Sequence, residues 1–230
     1  MPADNPPKYD EISLVIKEAA TKTAILKVMP PAATTKLNAS LAAAKGHQAH
    51  VWRDTPPWNA DGTINGYIEI ARGDRRKWEL DIAKNARAID RMIPESLGGY
   101  PINYGIVPQT VSYDGDPFDI LVLGPPIEGG QLTRGVPVGV MVMEDDRILD
   151  SKVVVTPVDA RGLPLYELTE PVKRQLIDFF NRYKLHIPGA STSVPGFGTR
   201  EEGMALVRLT HAFFLKCRDR KDACAVTEPK

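Results

Sequence analysis

The pattern of apolar positions changes character near Gly66. Upstream, Ile12, Val15, Ala19, Ile25 and Val28 recur at roughly helical spacing, which predicts an amphipathic helix over 11–28 stopped by Pro30-Pro31. A second helix is predicted over 35–45, ended by Gly46. Downstream, short apolar or alternating runs bounded by Gly and Pro predict strands at 67–72, 78–82, 120–124, 138–143 and 152–156. Two helices follow. The first has Thr169 as N-cap, Pro171 in its first turn and a stripe of Val172, Leu176, Phe179, Phe180 and Tyr183. The second opens on Thr199 with Glu202 three residues on, a capping-box pattern, and runs towards Lys216. Several strands followed by two helices indicate the α+β class: a small β-barrel with two C-terminal helices packed outside, plus a helical N-terminal extension. Residues 1–50 are expected to form that extension, loosely packed and of unreadable role, and residues 51–230 the main domain.

Composition narrows the function without naming it. The 29 Lys and Arg balance 29 Asp and Glu, so the chain lacks the basic surplus a nucleic-acid partner or an acidic membrane surface calls for. No apolar run approaches the roughly 18 residues of a membrane span, and the start MPADNPPKYDEIS lacks the basic and apolar regions of a secretory signal, so a cytoplasmic protein is expected. Cys217 and Cys224 have no CxxC spacing and are expected as reduced thiols, while His47 and His50 have no third ligand nearby to make a metal site with them.

The zero balance hides a local excess. From Thr110 to Asp150 there are eight acids against two bases, net −6, with basic runs before and after. Within it, Asp114-Gly115-Asp116-Pro117-Phe118-Asp119 puts three carboxylates in six residues, just before the apolar run Ile120-Leu121-Val122-Leu123. Pro117 biases Asp116 to an extended backbone, so Asp114 and Asp116 point the same way while Asp119 enters from the mouth of the strand. Converging carboxylates repel unless some hold protons or a cation is present, and oxygen-only ligands select hard ions such as magnesium, calcium or manganese. An EF-hand fails, because its twelfth position counted from Asp114 is Pro125. An Asx-turn that merely caps the backbone is a live alternative for these residues. A second acidic group, Asp145 and Asp150 with Lys152, brackets another strand start; two such ends make a many-carboxylate pocket suited to displacement at phosphorus, with Lys77, Arg91, Tyr104, Tyr183 and Lys184 as candidate contacts for an anion. A non-catalytic oligonucleotide-binding barrel and a calcium-stabilised structural module are the competing readings. The first requires a basic groove with stacking aromatics, and the groove here is acidic.

The run Asn103-Tyr104-Gly105-Ile106-Val107-Pro108-Gln109-Thr110, followed by DGDPFDI from Asp114, closely resembles the soluble family I inorganic pyrophosphatases, and the resemblance extends from Gly66 to about Arg218. It implies a five-stranded barrel of the oligonucleotide/oligosaccharide-binding (OB) kind and magnesium-dependent hydrolysis of inorganic diphosphate to two phosphates by in-line attack of a metal-bound hydroxide, with two or more magnesium ions per site. By position, Asp114, Asp119 and Asp150 resemble the ligands of the activating metal pair, Asp145 an aspartate for metals arriving with substrate, and Glu69 and Glu79 glutamates that hold metal through water. Asp116 resembles the carboxylate that orients and deprotonates the attacking water. Lys77 and Arg91 resemble phosphate-gripping residues, Tyr183 and Lys184 the pair on the departing phosphate, Tyr104 a tyrosine bonded within the site, and Lys152 the lysine two residues after Asp150. The resemblance also implies a homo-oligomer, hexamer or dimer.

Overall fold

The computed structural model describes residues 31–219, so the helix expected over 11–28 lies outside the described residues. In chain order they form α1 (Pro31–Lys45), α2 (Val51–Asp54), β1 (Ile64–Ile70), β2 (Arg76–Asp81), β3 (Ala86–Met92), a 3-10 turn (Glu95–Leu97), β4 (Asn103–Ile106), β5 (Asp119–Val122), β6 (Leu132–Asp145), β7 (Ile148–Leu149), β8 (Lys152–Thr156), α3 (Glu170–Arg182), β9 (Thr192–Gly198) and α4 (Arg200–Asp219).

Five strands pair in a closed ring: β1 with β4, β4 with β5, β5 with β8, β8 with β6, and β6 back to β1. Every pairing is antiparallel except β5 with β8, which is parallel. Closure leaves the ring without a free edge. The long β6 also pairs with β7 and β9, while β2 and β3 form a separate two-stranded sheet.

The two-residue period of the strands sorts their side chains into two cores. Ile120, Val122, Val140, Val142, Val153 and Val155 join one core with Leu206, Val207, Phe213 and Phe214 of α4. Their neighbours Leu121, Leu123, Met141, Met143 and Val154 join the other, with Leu176, Phe179 and Phe180 of α3. Burial on both faces is why β5 and β8 read as continuous apolar runs rather than as alternation. The capping box opening α4 is formed: Thr199 N–H donates to Glu202 Oε2 at 2.7 Å, and Glu202 N–H to Thr199 Oγ1 at 3.2 Å.

The N-terminal extension departs from expectation. Ala33, Leu37, Leu41 and Ala44 of α1 are buried in the same core as α4, with Leu37 fully covered, so this helix is packed firmly rather than loosely. Beside it His50 caps α2: its Nδ1 accepts from Trp52 N–H at 3.1 Å and Arg53 N–H at 3.3 Å, and its Nε2 lies 2.9 Å from Ile82 O. His47 Nε2 contacts Ala83 O at 2.7 Å. Both rings thus fasten α1 and α2 to the chain after β2. Cys217, expected as a thiol, is disulfide-bonded and buried on α4.

Candidate active site

The parallel pairing of β5 and β8 sets the centre of the site. Ile120 stands opposite Val153, so Asp119 and Lys152, the first residues of their strands, meet side by side. Lys152 Nζ reaches Asp119 Oδ2 at 2.5 Å and Asp150 Oδ2 at 2.9 Å, and its side chain is 1% exposed. Burial alone would lower the Lys152 pKa, but the two carboxylates more than reverse this and hold the ammonium charged. On the neighbouring β4, Tyr104 Oη donates to the same Asp119 Oδ2 at 2.5 Å.

Asp145 and Asp150 are brought together by a hairpin. Asp146 and Arg147 both have positive φ, at 50° and 69°, the backbone of a tight two-residue turn between β6 and β7. The return strand then places Asp150 N–H on Met143 O at 2.8 Å. From the far side, the end of α3 delivers two more groups: Tyr183 Oη donates to Asp145 Oδ2 at 3.2 Å and Lys184 Nζ to the same oxygen at 2.6 Å.

Asp114 and Asp116 sit on the loop before β5. Asp116 N–H donates to Asp114 Oδ1 at 3.0 Å, so the Asx-turn is present, and it leaves the other carboxylate oxygens for the cleft. Gly115 has φ of +86°, and a Cβ there would stand 2.4 Å from Ala33 O of α1, so both conformation and contact demand glycine. Burial foremost, then the Asp116 charge, lifts Asp114 to a pKa of about 6. Burial also raises Asp116, against the opposing charge of Lys36, and pushes Asp150 and Glu69 well up.

Two predicted residues also carry bonds within the fold. Glu69 Oε1 accepts from Leu80 N–H at 2.6 Å, so one of its oxygens ties β1 to β2 while the residue still borders the cleft. Arg91 stands beside Lys77 as its cross-strand partner: both bond to Asp90 Oδ2, Arg91 at 2.5 Å and Lys77 at 3.2 Å, and Lys77 also pairs with Glu79. Arg91 Nε and Nη2 are buried without a hydrogen-bond partner.

Asp114, Asp116, Asp119, Asp145, Asp150, Glu69, Glu79, Lys77, Tyr104, Tyr183 and Lys184 all line one open cleft of about 350 Å3. Lys152 is bonded to Asp119 and Asp150 of its wall, and Arg91, outside the lining, has its guanidinium 5.8 Å from the ring of Tyr183. Three polar residues not singled out from the sequence also line it: Tyr100, Asp146 and Lys36. Tyr100 lies four residues before Tyr104, just upstream of the run that begins at Asn103, and Asp146 adjoins Asp145. Lys36, on α1, is 80 residues from its partner Asp116, and no local pattern singles it out. Among the described residues no three acidic, His or Cys side chains stand ready-made around an ion; amino groups and hydroxyls occupy several of the carboxylates instead.

Comparison with known proteins gives this cleft its setting. The family model for inorganic pyrophosphatase matches residues 66–214. The inorganic pyrophosphatase of Sulfolobus acidocaldarius is 30% identical over 162 residues, 67% of this chain and 93% of that protein, and that of Caulobacter vibrioides is 34% identical over 162 residues, 66% and 88%. Among solved structures, the inorganic pyrophosphatase of Neisseria gonorrhoeae aligns with a TM-score of 0.65 at 31% identity, covering 71% of this chain and 98% of that one. The Thermus thermophilus inorganic pyrophosphatase aligns with a TM-score of 0.66 at 29% identity, covering 73% and 99%. The family match takes in β1 from Gly66, the other four strands of the closed ring and all the acidic residues of the cleft, and the chain therefore belongs to the inorganic pyrophosphatase family.

Proposed function

We propose that the chain hydrolyses inorganic diphosphate to two phosphates in a magnesium-dependent reaction, with two or more ions held in the cleft. The observation behind this reading is the convergence of Asp114, Asp116, Asp119 and Asp150 with Lys77, Tyr183 and Lys184 around one opening, in a chain of this family. The donor set fits hard divalent ions: it is made of carboxylate oxygens, and burial and mutual repulsion push Asp114 and Asp150 towards protonation in the absence of added positive charge. Asp114, Asp116, Asp119, Asp145 and Asp150 would hold magnesium directly, with Glu69 and Glu79 through water. Bound magnesium supplies polarisation of the phosphoryl oxygens and a lowered pKa of water.

The chain's own groups do the rest. Asp116 takes the proton of the attacking water, a task that a carboxylate with a raised pKa suits. Lys77, Arg91, Lys184 and Tyr183 donate to phosphate oxygens and neutralise charge as the leaving phosphate departs, with Tyr104 and Lys152 holding Asp119 in place. The closed ring serves as the OB-like barrel of this reading, within a catalytic domain over 51–230. We extend the reading to a cytoplasmic homo-oligomer, consistent with the lack of any described helix long and apolar enough to cross a membrane. Phosphate release from diphosphate with magnesium tests the activity. Asp116→Asn is expected to lower turnover by about 10²- to 10⁴-fold with an unchanged circular dichroism spectrum. A folded variant of undiminished activity would remove Asp116 from this role.

A further inference from the structure

Lys36 is a cation of the cleft that the family pattern does not contain, since α1 lies wholly before the matched residues 66–214. Its Nζ stands 2.5 Å from Asp116 Oδ2, and its next electrostatic neighbours are Asp114 and Glu79, so it is placed among the acidic groups of the opening. The placement is built rather than casual. Leu37 and Leu41 anchor α1 in the core, and Ala33 O presses against Gly115, the residue between the two aspartates. The pair is open to water, with 56% of the Lys36 side chain exposed and 41% of that of Asp116.

We propose that Lys36 is a positioning residue for Asp116 that competes with divalent metal: its ammonium occupies the carboxylate until an ion displaces it, so that α1 sets the metal affinity of the site. The inference rests on Asp116 facing metal, as proposed above. A carboxylate oxygen at hydrogen-bond distance from an ammonium has a lone pair committed to it, and a divalent ion arriving at Asp114 and Asp116 meets a like charge that must swing into solvent. Displacement is feasible because a partly exposed ion pair is weak.

The test is calorimetric titration of manganese or magnesium into the metal-stripped full chain at one fixed pH, without substrate. Lys36→Met keeps most of the aliphatic stem and removes the charge; it is expected to tighten the strongest binding step by about fivefold, the scale of a partly exposed ion pair. Lys36→Arg keeps the charge and is expected to stay within about twofold of the parent. With Asp116→Asn as background, Lys36→Met is expected to gain nothing further. Lys36→Met binding metal no tighter than the parent overturns the competition, as does an equal gain in Lys36→Arg. If Asp116→Asn alone leaves the affinity unchanged, the metal-facing assignment of Asp116 fails instead, and the competition with it.

Discussion

Lys152 and Lys36 each hold an aspartate of the same cleft at 2.5 Å, but their surroundings give the two contacts different meanings. Lys152 is almost wholly covered, shared between Asp119 and Asp150, and set by the pairing of two adjacent strands. Lys36 comes from a helix outside the ring, faces one carboxylate and is more than half exposed. In a covered pair, removing one partner strands the other as a bare charge, whereas in an exposed pair water takes the vacated place. Distance alone therefore says nothing about which contact the fold depends on. The buried lysine belongs to the architecture of the cleft, and the exposed one is suited to exchange.

Three measurements can break this comparison or sharpen it. The largest effect is expected from Lys152→Met, which leaves Asp119 and Asp150 unpaired: urea unfolding of the metal-free protein should show a loss of about 3–5 kcal/mol. A loss below about 1 kcal/mol would put Lys152 in the same class as Lys36.

The next effect concerns Asp114, which forms no ion pair among the described residues. Its folded pKa of about 6 lies above the ordinary 3.8, so the folded state binds this proton more tightly than the unfolded chain does. Its contribution to stability is present at low pH and is lost as pH rises from about 4 through about 6. Metal-free Asp114→Asn is accordingly expected to be more stable than the parent at pH 7.5, by on the order of 2 kcal/mol, with the gap closing towards pH 4. Thermal melts in chelator at the two pH values check this; a gap that widens on acidification would reverse the sign and remove burial as the cause.

The smallest effect is expected from Lys36→Met on stability, a change of about 1 kcal/mol or less in the same urea experiment. A loss comparable to that of Lys152→Met would make Lys36 a structural anchor rather than a displaceable cation.

How much of this was legible varied with the kind of signal. The strand at 152–156 was readable to the residue, and 120–124 nearly so, because their valine, isoleucine and leucine runs are buried on both faces. The stripe of α3 and the capping box of α4 were equally plain. β6 was seen only in its apolar middle, since its first residues alternate in exposure. β3 and β9 gave no signal: Ala86–Met92 is mostly exposed and has charges at Arg87, Asp90 and Arg91, and Thr192–Gly198 contains Pro195 and Gly196, so each is a strand by virtue of its partner. β4, four residues with a glycine inside, was too short to stand out. In the site, the aspartates were legible because they are close in sequence, whereas Tyr100 and Lys36 became site residues only through packing.

The sequence by itself determined the acidic character of the cleft and the family to which the chain belongs, because these depend on residue types at short spacing. Only the tertiary structure decided which charge answers which. The parallel start of β5 and β8 put Lys152 beneath two aspartates, and the docking of α1 through Leu37 and Leu41 carried Lys36 across 80 residues to Asp116. Charge pairing falls off over a few ångströms in space and takes no account of separation along the chain, so the partners of a charge are settled by the fold.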